Sequence, residues 1–310
     1  MADYISVNQI NTYIDCGYRY KLQYVDNHKS SNFSLTMLYG QLFEELLTRH
    51  IKGEVANKSL RAHFADIVMT RLSQVGDLSA GFLQALMEFL EAVYNHGPAG
   101  NEDEAYALDT LAVELNGHGY SYKPRVKNLK GSKSDSLLSN GLLEVLYNVE
   151  RTLINPQYVA MLQDIEEVFD QYHFNVPVAS WEKPLMGYID ILIKCKSGGW
   201  KCFDIKYSTF DYADYNINTD TQLHVYLKAL QRTVEGPVTI GFMTPRSGDL
   251  FHICDNELLL SKETSERIKL AHKGMESQFF MPACGGGAYQ SVTKLCGVKC
   301  HCPYASGKVE

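Results

Sequence analysis

Two aspartates and one lysine are the residues of this chain best placed to do chemistry. Asp190 closes the stretch MGYID over 186–190, and Asp204 and Lys206 sit in WKCFDIK over 200–206. On a β-strand, residues two apart share a face, so Asp204 and Lys206 point the same way. Between Asp190 and Asp204 lie 13 residues, an interval that suits two adjacent antiparallel strands and a short turn. Two carboxylates meeting beside an ammonium group suit a hard divalent cation, which prefers oxygen ligands and keeps waters for reaction. Charges alternating with Ile and Phe also describe the plain solvated face of a strand. Ile189, Ile191, Ile193, Phe203 and Ile205 alternate with the charged positions, which makes one face core and concentrates the polar chemistry on the other.

The cysteines are the second cluster. Of the 8 in the chain, Cys16, Cys195, Cys202 and Cys254 are scattered, whereas Cys284, Cys296, Cys300 and Cys302 crowd the tail. In a reducing compartment such spacing reads as thiols or metal ligands rather than disulfides. Thiolates suit zinc and iron–sulfur clusters alike. Cys195, Cys202 and Cys254 read as small residues in or near strands.

The elements that must position these groups follow from periodicity. Residues 4–24 read as a helix and its continuation, and Ser34 is placed to cap a helix whose stripe is Leu38, Leu42, Leu46 and Leu47. Further helical patterns cover 58–75, 79–95, 103–115, 139–150 and 157–171. Segments 172–179, 186–195 and 200–206 are rich in aromatic and β-branched residues and read as strands. The last two are joined by KSGG, a hairpin signal with glycines for positive φ. A helix over 219–232, strands near 237–243 and 250–254, and a helix over 261–278 complete a decorated α/β or α+β core.

Composition bounds the class of protein. The 310 residues are 45% apolar and 21% charged, which fits a globular chain with a sizeable core and excludes a disordered or collagen-like one. With 29 basic against 36 acidic residues the net charge is −7, so the chain is no polycation that coats nucleic acid unselectively. No apolar run reaches the length of a membrane span, and MADYISVNQI lacks a signal peptide's basic start and apolar core, so a cytoplasmic address is expected. The stretch 117–134 holds Lys123, Arg125, Lys127, Lys130 and Lys133 without an acidic residue. It is either a footprint for a phosphate backbone or a solvated loop. Among 20 tyrosines, Tyr13, Tyr18, Tyr20 and Tyr24 near the front and Tyr207, Tyr212 and Tyr215 after Lys206 are rings that can stack on unpaired bases or fill core.

Four segments in order carry a resemblance: GQLFE over 40–44, GYID over 187–190, DIK over 204–206 and QLHVY over 222–226. Together they resemble the PD-(D/E)XK nuclease superfamily, and within it the RecB/AddB-like exonuclease branch with its CRISPR-associated and phage relatives. The resemblance implies a restriction-endonuclease-like mixed central sheet flanked by helices. It implies a mainly helical region over 1–171, a nuclease sheet core with its motif helix over 172–278, and a cysteine-rich tail over 279–310 that packs back on the N-terminus. Asp190, Asp204 and the carbonyl of Ile205 would bind Mg²⁺ or Mn²⁺, and Lys206 would orient or activate water and offset charge on the phosphate. Gln222 and Tyr226, one helical turn apart, would line the site. Where the branch has a histidine this chain has Glu44, which still serves a hard metal; a shift of one residue would put Glu45 there instead. The branch also implies a [4Fe-4S] cluster on Cys16, Cys296, Cys300 and Cys302, with Cys284 as substitute and Zn²⁺ as the alternative. CGYRY over 16–20 resembles the segment of the remote cysteine, with Gly for Pro.

The activity so implied is metal-dependent exonucleolytic hydrolysis of DNA ends in recombination, repair or phage DNA metabolism. A structure-specific endonuclease would use the same residues, and a non-catalytic DNA-binding module with a stapled fold is the reading outside enzymology. No Walker-type GxxxxGK[ST] occurs, so ATP-driven unwinding would need a helicase partner. A recombination protein or a second copy of the chain is a further possible partner.

Overall fold

Glycines 198 and 199 take φ of +94° and +79° between two strands rich in β-branched residues, and the chain doubles back there as a hairpin. The structure, a computed structural model, describes residues 3–28, 35–56, 60–73, 137–179, 181–207, 216–246, 249–282 and 301–302. Ser34, the helices expected over 79–95 and 103–115, the basic residues from Lys123 to Lys133, and Tyr212 and Tyr215 lie outside the described residues.

In chain order the elements are β1 (Ile5–Ser6), α1 (Val7–Asp15), α2 (Gly17–Tyr20, continued by a π-turn over Lys21–Val25), α3 (Leu35–Ile51) and α4 (Leu60–Ser73). Then come α5 (Leu137–Leu153), α6 (Pro156–Gln163), β2 (Ile165–Val176), β3 (Leu185–Cys195) and β4 (Trp200–Ile205). The last are α7 (Thr221–Thr233), β5 (Val238–Met243), β6 (Phe251–Ile253), α8 (Asn256–Leu259) and α9 (Lys262–Glu276). Two expectations are corrected: Ile5–Ser6, read as the start of a helix, is a strand paired with β3, and the helix read over 157–171 ends at Gln163, with residues 165–176 as strand. Leu162, Ile165, Val168 and Phe169 carry a helix-like spacing. Pairing with β3 along nearly its whole length overrides that local pattern.

The sheet is mixed. β3 pairs antiparallel with β2 and β4, β4 pairs parallel with β5, and β5 pairs antiparallel with β6. With β2 along one edge of β3, the other edge is divided. β1 takes Leu185 and Met186 in parallel, and β4 takes Ile191 to Lys194. Residues 187–190 of β3 therefore face a gap between two neighbouring strands.

Helices cover both faces. On one, Leu42, Leu46, Phe64, Val145 and Val149 pack with Ile191, Ile193, Phe203 and Ile205. On the other, Ile10, Leu223, Leu230 and Ile268 pack with Leu192, Cys202, Ile240 and Phe242. Ile189 belongs to the second core, not to the face of Ile191 and Ile193 as strict alternation predicts. The β2–β3 pair changes faces between them. Val168 joins the first core, while Phe174 and Val176 join the second. Gln171, directly opposite Asp190 in this register, has φ of +49°, and the ladder skips the Gln171–Asp190 pair. A single left-handed residue turns the pleat, which accounts for the exchange.

Candidate active site

The site occupies the gap in the sheet. Gly187 is required there by close packing, since a Cβ on it would stand 2.5 Å from the ring of Phe174. The β3–β4 ladder ends at Ile191 and Phe203, one pair short of bringing Asp190 opposite Asp204. Side chains continue where the backbone ladder stops. The Ile205 amide donates to Asp190 Oδ2 at 2.9 Å, and the Tyr226 hydroxyl donates to the Tyr188 carbonyl at 2.8 Å.

α7 supplies the roof. Asp220 caps it by accepting from the Leu223 amide at 2.9 Å, which fixes the helix start at the end of β4. Its first turn places Gln222 and, at i+4, Tyr226 over Asp204. Gln222 Nε2 donates to Asp204 Oδ1 at 2.6 Å and to the Tyr226 hydroxyl at 2.7 Å, while its Oε1 accepts from Lys206 Nζ at 3.0 Å. Every hydrogen-bonding atom of that amide is thus committed to the site. Lys206 Nζ also stands 2.6 Å from Asp204 Oδ2. Oδ2 is buried, and the ammonium is its partner.

Burial dominates the electrostatics. Asp204 is 2% exposed, and desolvation raises its carboxyl well above the usual range; Lys206 pulls it back and Asp190 pushes it further up. Desolvation likewise raises Asp190, with the charge of Glu44 adding to it. Glu44, on α3, is raised by desolvation and then by Asp204. Three carboxyl groups from two strands and a helix thus disfavour one another's ionisation. Burial works against the charged form of Lys206, but Asp204, Asp190 and Asp220 together outweigh it and the amine stays cationic. Tyr226 is raised by burial and stays a donor.

Glu44 rather than Glu45 faces this cluster. Gln171 Nε2 donates to Glu44 Oε1 at 2.8 Å, whereas Glu45 is held by Arg49 and Arg71, each at 2.7 Å. A cavity of about 360 Å³ opens beside the carboxylates, with Glu44, Asp190, Gln171, Arg49, Lys52 and Arg71 in its wall. A larger one of about 560 Å³, walled by Tyr4, Tyr20 and Tyr24, includes none of the site's residues.

Among the described residues, no group of three His, Cys, Asp or Glu side chains stands ready to hold a metal ion. The donor set still fits a hard divalent cation, since Mg²⁺ is commonly bound by one or two carboxylates, waters and substrate phosphate. Asp190 and Asp204 are such a pair. Asp204 Oδ2 is buried with the Lys206 ammonium beside it, so a cation bound there would share this carboxylate with Lys206.

The cysteines divide as follows. Cys195, Cys202 and Cys254 are buried, and burial pushes the Cys254 thiol up to about 12, so they are inert core. Cys16 caps α2, its sulfur accepting from the Arg19 amide at 3.4 Å. Cys302 packs with Tyr18 against Leu22, and the His301 ring stacks on His28 at 4.0 Å. Cys284, Cys296 and Cys300 lie outside the described residues. Tyr207 is core: it is 7% exposed, stacks on Phe43 at 5.1 Å and accepts from Asn148 Nδ2 at 3.2 Å.

Sequence reasoning missed Gln171 and Asp220. Asp220, between a loop and an amphipathic helix, carries the ordinary N-cap signal. Gln171 carries none, because nothing in IEEVFDQYHFNV marks its backbone as left-handed.

Among the described residues, no helix is long and apolar enough to cross a membrane. No curated protein matches this chain. A solved structure described as "Crystal structure of SSO0001" aligns over 74% of this chain and 98% of its own, at 12% identity and a TM-score of 0.32, a likeness too low to carry argument. The family model described as the PD-(D/E)XK nuclease superfamily matches residues 4–303. With that match spanning nearly its whole length, and a mixed sheet flanked by helices around an Asp–Asp–Lys site, the chain belongs to the PD-(D/E)XK nuclease superfamily.

Proposed function

We propose that this nuclease is a Mg²⁺- or Mn²⁺-dependent DNA exonuclease of the RecB/AddB-like branch. The observation that carries the reading is the convergence of Asp190, Asp204, Lys206 and Gln222 at the gap in the sheet, with the Lys206 ammonium 2.6 Å from Asp204 Oδ2. Asp190, Asp204 and the Ile205 carbonyl would hold the cation, with Glu44 as a further carboxylate. The cation supplies charge neutralisation and a water acidic enough to attack at neutral pH. The chain's own residues do the rest. Lys206, kept cationic by Asp204, faces the phosphate and offsets the charge that builds as water adds to phosphorus and the P–O bond breaks. Gln222 locks the Lys206 ammonium and the Asp204 carboxylate in one orientation, and Tyr226 fixes Gln222 to β3.

The exonuclease assignment rests on the four ordered motif segments and their resemblance to that branch, as does a role in recombination, repair or phage DNA metabolism in the cytoplasm. The basic residues Lys123, Arg125, Lys127, Lys130 and Lys133 are proposed to follow the DNA backbone. Cys16, Cys296, Cys300 and Cys302, with Cys284 as substitute, are proposed to hold a [4Fe-4S] cluster. The contact of Cys302 with Leu22, near Cys16 in the chain, supports a tail folded back on the N-terminal helices.

The test is digestion of linear DNA labelled at either end, single- and double-stranded, beside a closed circle of the same sequence, with Mg²⁺ or Mn²⁺. Progressive release of nucleotides or short oligonucleotides from linear DNA, with the circle intact, is expected. Cutting of the closed circle would assign the same residues to an endonuclease.

A further inference from the structure

We propose that Gln171 is a positioning residue whose carboxamide holds Glu44 beside Asp190 so that the two face the metal together, an inference that rests on the nuclease reading above. Glu44 comes from α3 and Asp190 from β3, and nothing in the backbone ladder links them. Gln171 lies opposite Asp190 in the β2–β3 register, at a position that the ladder skips. Its Nε2 donates to Glu44 Oε1 at 2.8 Å, which holds Glu44 at the strand position opposite Asp190. Glu44, Gln171 and Asp190 line the same cavity, where the like charges of the two carboxylates oppose each other and a donor on Glu44 offsets that repulsion.

The backbone sharpens the assignment. Gln171 has φ of +49°, a conformation that disfavours a residue with a Cβ and that glycine adopts freely. The left-handed turn rotates the pleat so that Ile189 and Ile191 enter different cores, with Asp190 between them at the gap. Backbone and side chain of one residue therefore set the direction of Asp190 and the reach of Glu44. Partners that orient metal-binding carboxylates typically change metal affinity by about 10–100-fold when removed.

The test is Mn²⁺ titration of the full chain, with free Mn²⁺ read by its paramagnetic resonance, beside the thermal midpoint of the metal-free protein. Gln171→Gly suits the backbone and removes only the amide. Its midpoint is expected to equal or exceed that of the parent, while Mn²⁺ binding weakens at least tenfold. Gln171→Asn, which tolerates the conformation and keeps an amide, is expected to recover part of that loss. Asp204→Asn serves as the reference for a broken site. A Gln171→Gly protein that binds Mn²⁺ as the parent does would overturn the inference while leaving the nuclease reading intact. A parent that binds Mn²⁺ no better than Asp204→Asn would overturn both.

Discussion

Asp204 is 2% exposed and Asp190 is half-buried, and for both the largest influence is the loss of water around a carboxylate. The pair is pushed up to about 6 at Asp190 and about 7 at Asp204. Unfolded aspartates titrate near 4, so between about pH 4 and 7 the native chain binds more protons than the unfolded one. The sign follows: this contribution to stability is present at the acid end and is lost as pH rises through the folded values. In the absence of metal, the thermal midpoint should fall by a few degrees between pH 5.5 and 8. Mg²⁺ should raise the midpoint more at pH 8 than at pH 5.5, because only the ionised pair binds it. Asp204→Asn should flatten both dependences, and calorimetry of the two proteins at both pH values checks this. For chemistry, Lys206→Met should cost at least about 10²–10³-fold in cleavage rate with DNA binding retained, the scale of losing one preorganised charge-stabilising donor.

At the scale of elements, the site depends on two devices that hold backbone rather than substrate. Asp220 caps α7 and thereby sets where Gln222 and Tyr226 fall. Asp220→Ala should destabilise the fold by about 1 kcal/mol and slow cleavage further through a loosened Gln222; a thermal melt and a rate measurement on one preparation separate the two. Gly187→Ala should be worse, about 1–3 kcal/mol, since its methyl group meets the Phe174 ring at 2.5 Å. The hairpin that carries Asp190, Asp204 and Lys206 was legible in the sequence because its information is local: period-two alternation, a glycine pair in the turn, and an interval that fits two strands. The first half of β2 was not legible. Leu162, Ile165, Val168 and Phe169 mimic a helical stripe, and only long-range pairing with β3 decides for strand. Gln171 was invisible for a related reason. Its φ of +49° leaves no mark in the local sequence IEEVFDQYHFNV.

In the whole molecule, the carboxylates sit where two strands share one edge of β3 and helices close in from both faces, so the site is a property of the assembled sheet. Glu44 reaches it from the first helical layer, and Gln222 and Tyr226 from the other. The tail returns to the N-terminal helices: Met281 accepts from the Tyr18 amide at 3.1 Å, and Phe280 packs against Tyr20. The cluster proposal adds its own test. Anaerobically purified protein should be brown with absorbance near ~400 nm, and colourless protein with one equivalent of zinc would replace the cluster without touching the nuclease. The central claim is tested most directly by the rate of phosphodiester cleavage on linear DNA with Mg²⁺, with and without chelator, for the parent and for Asp190→Ala and Lys206→Ala. The account predicts cleavage that chelator abolishes and that each substitution nearly eliminates, with far-ultraviolet circular dichroism unchanged. Folded variants that cut at the parent's rate would contradict it.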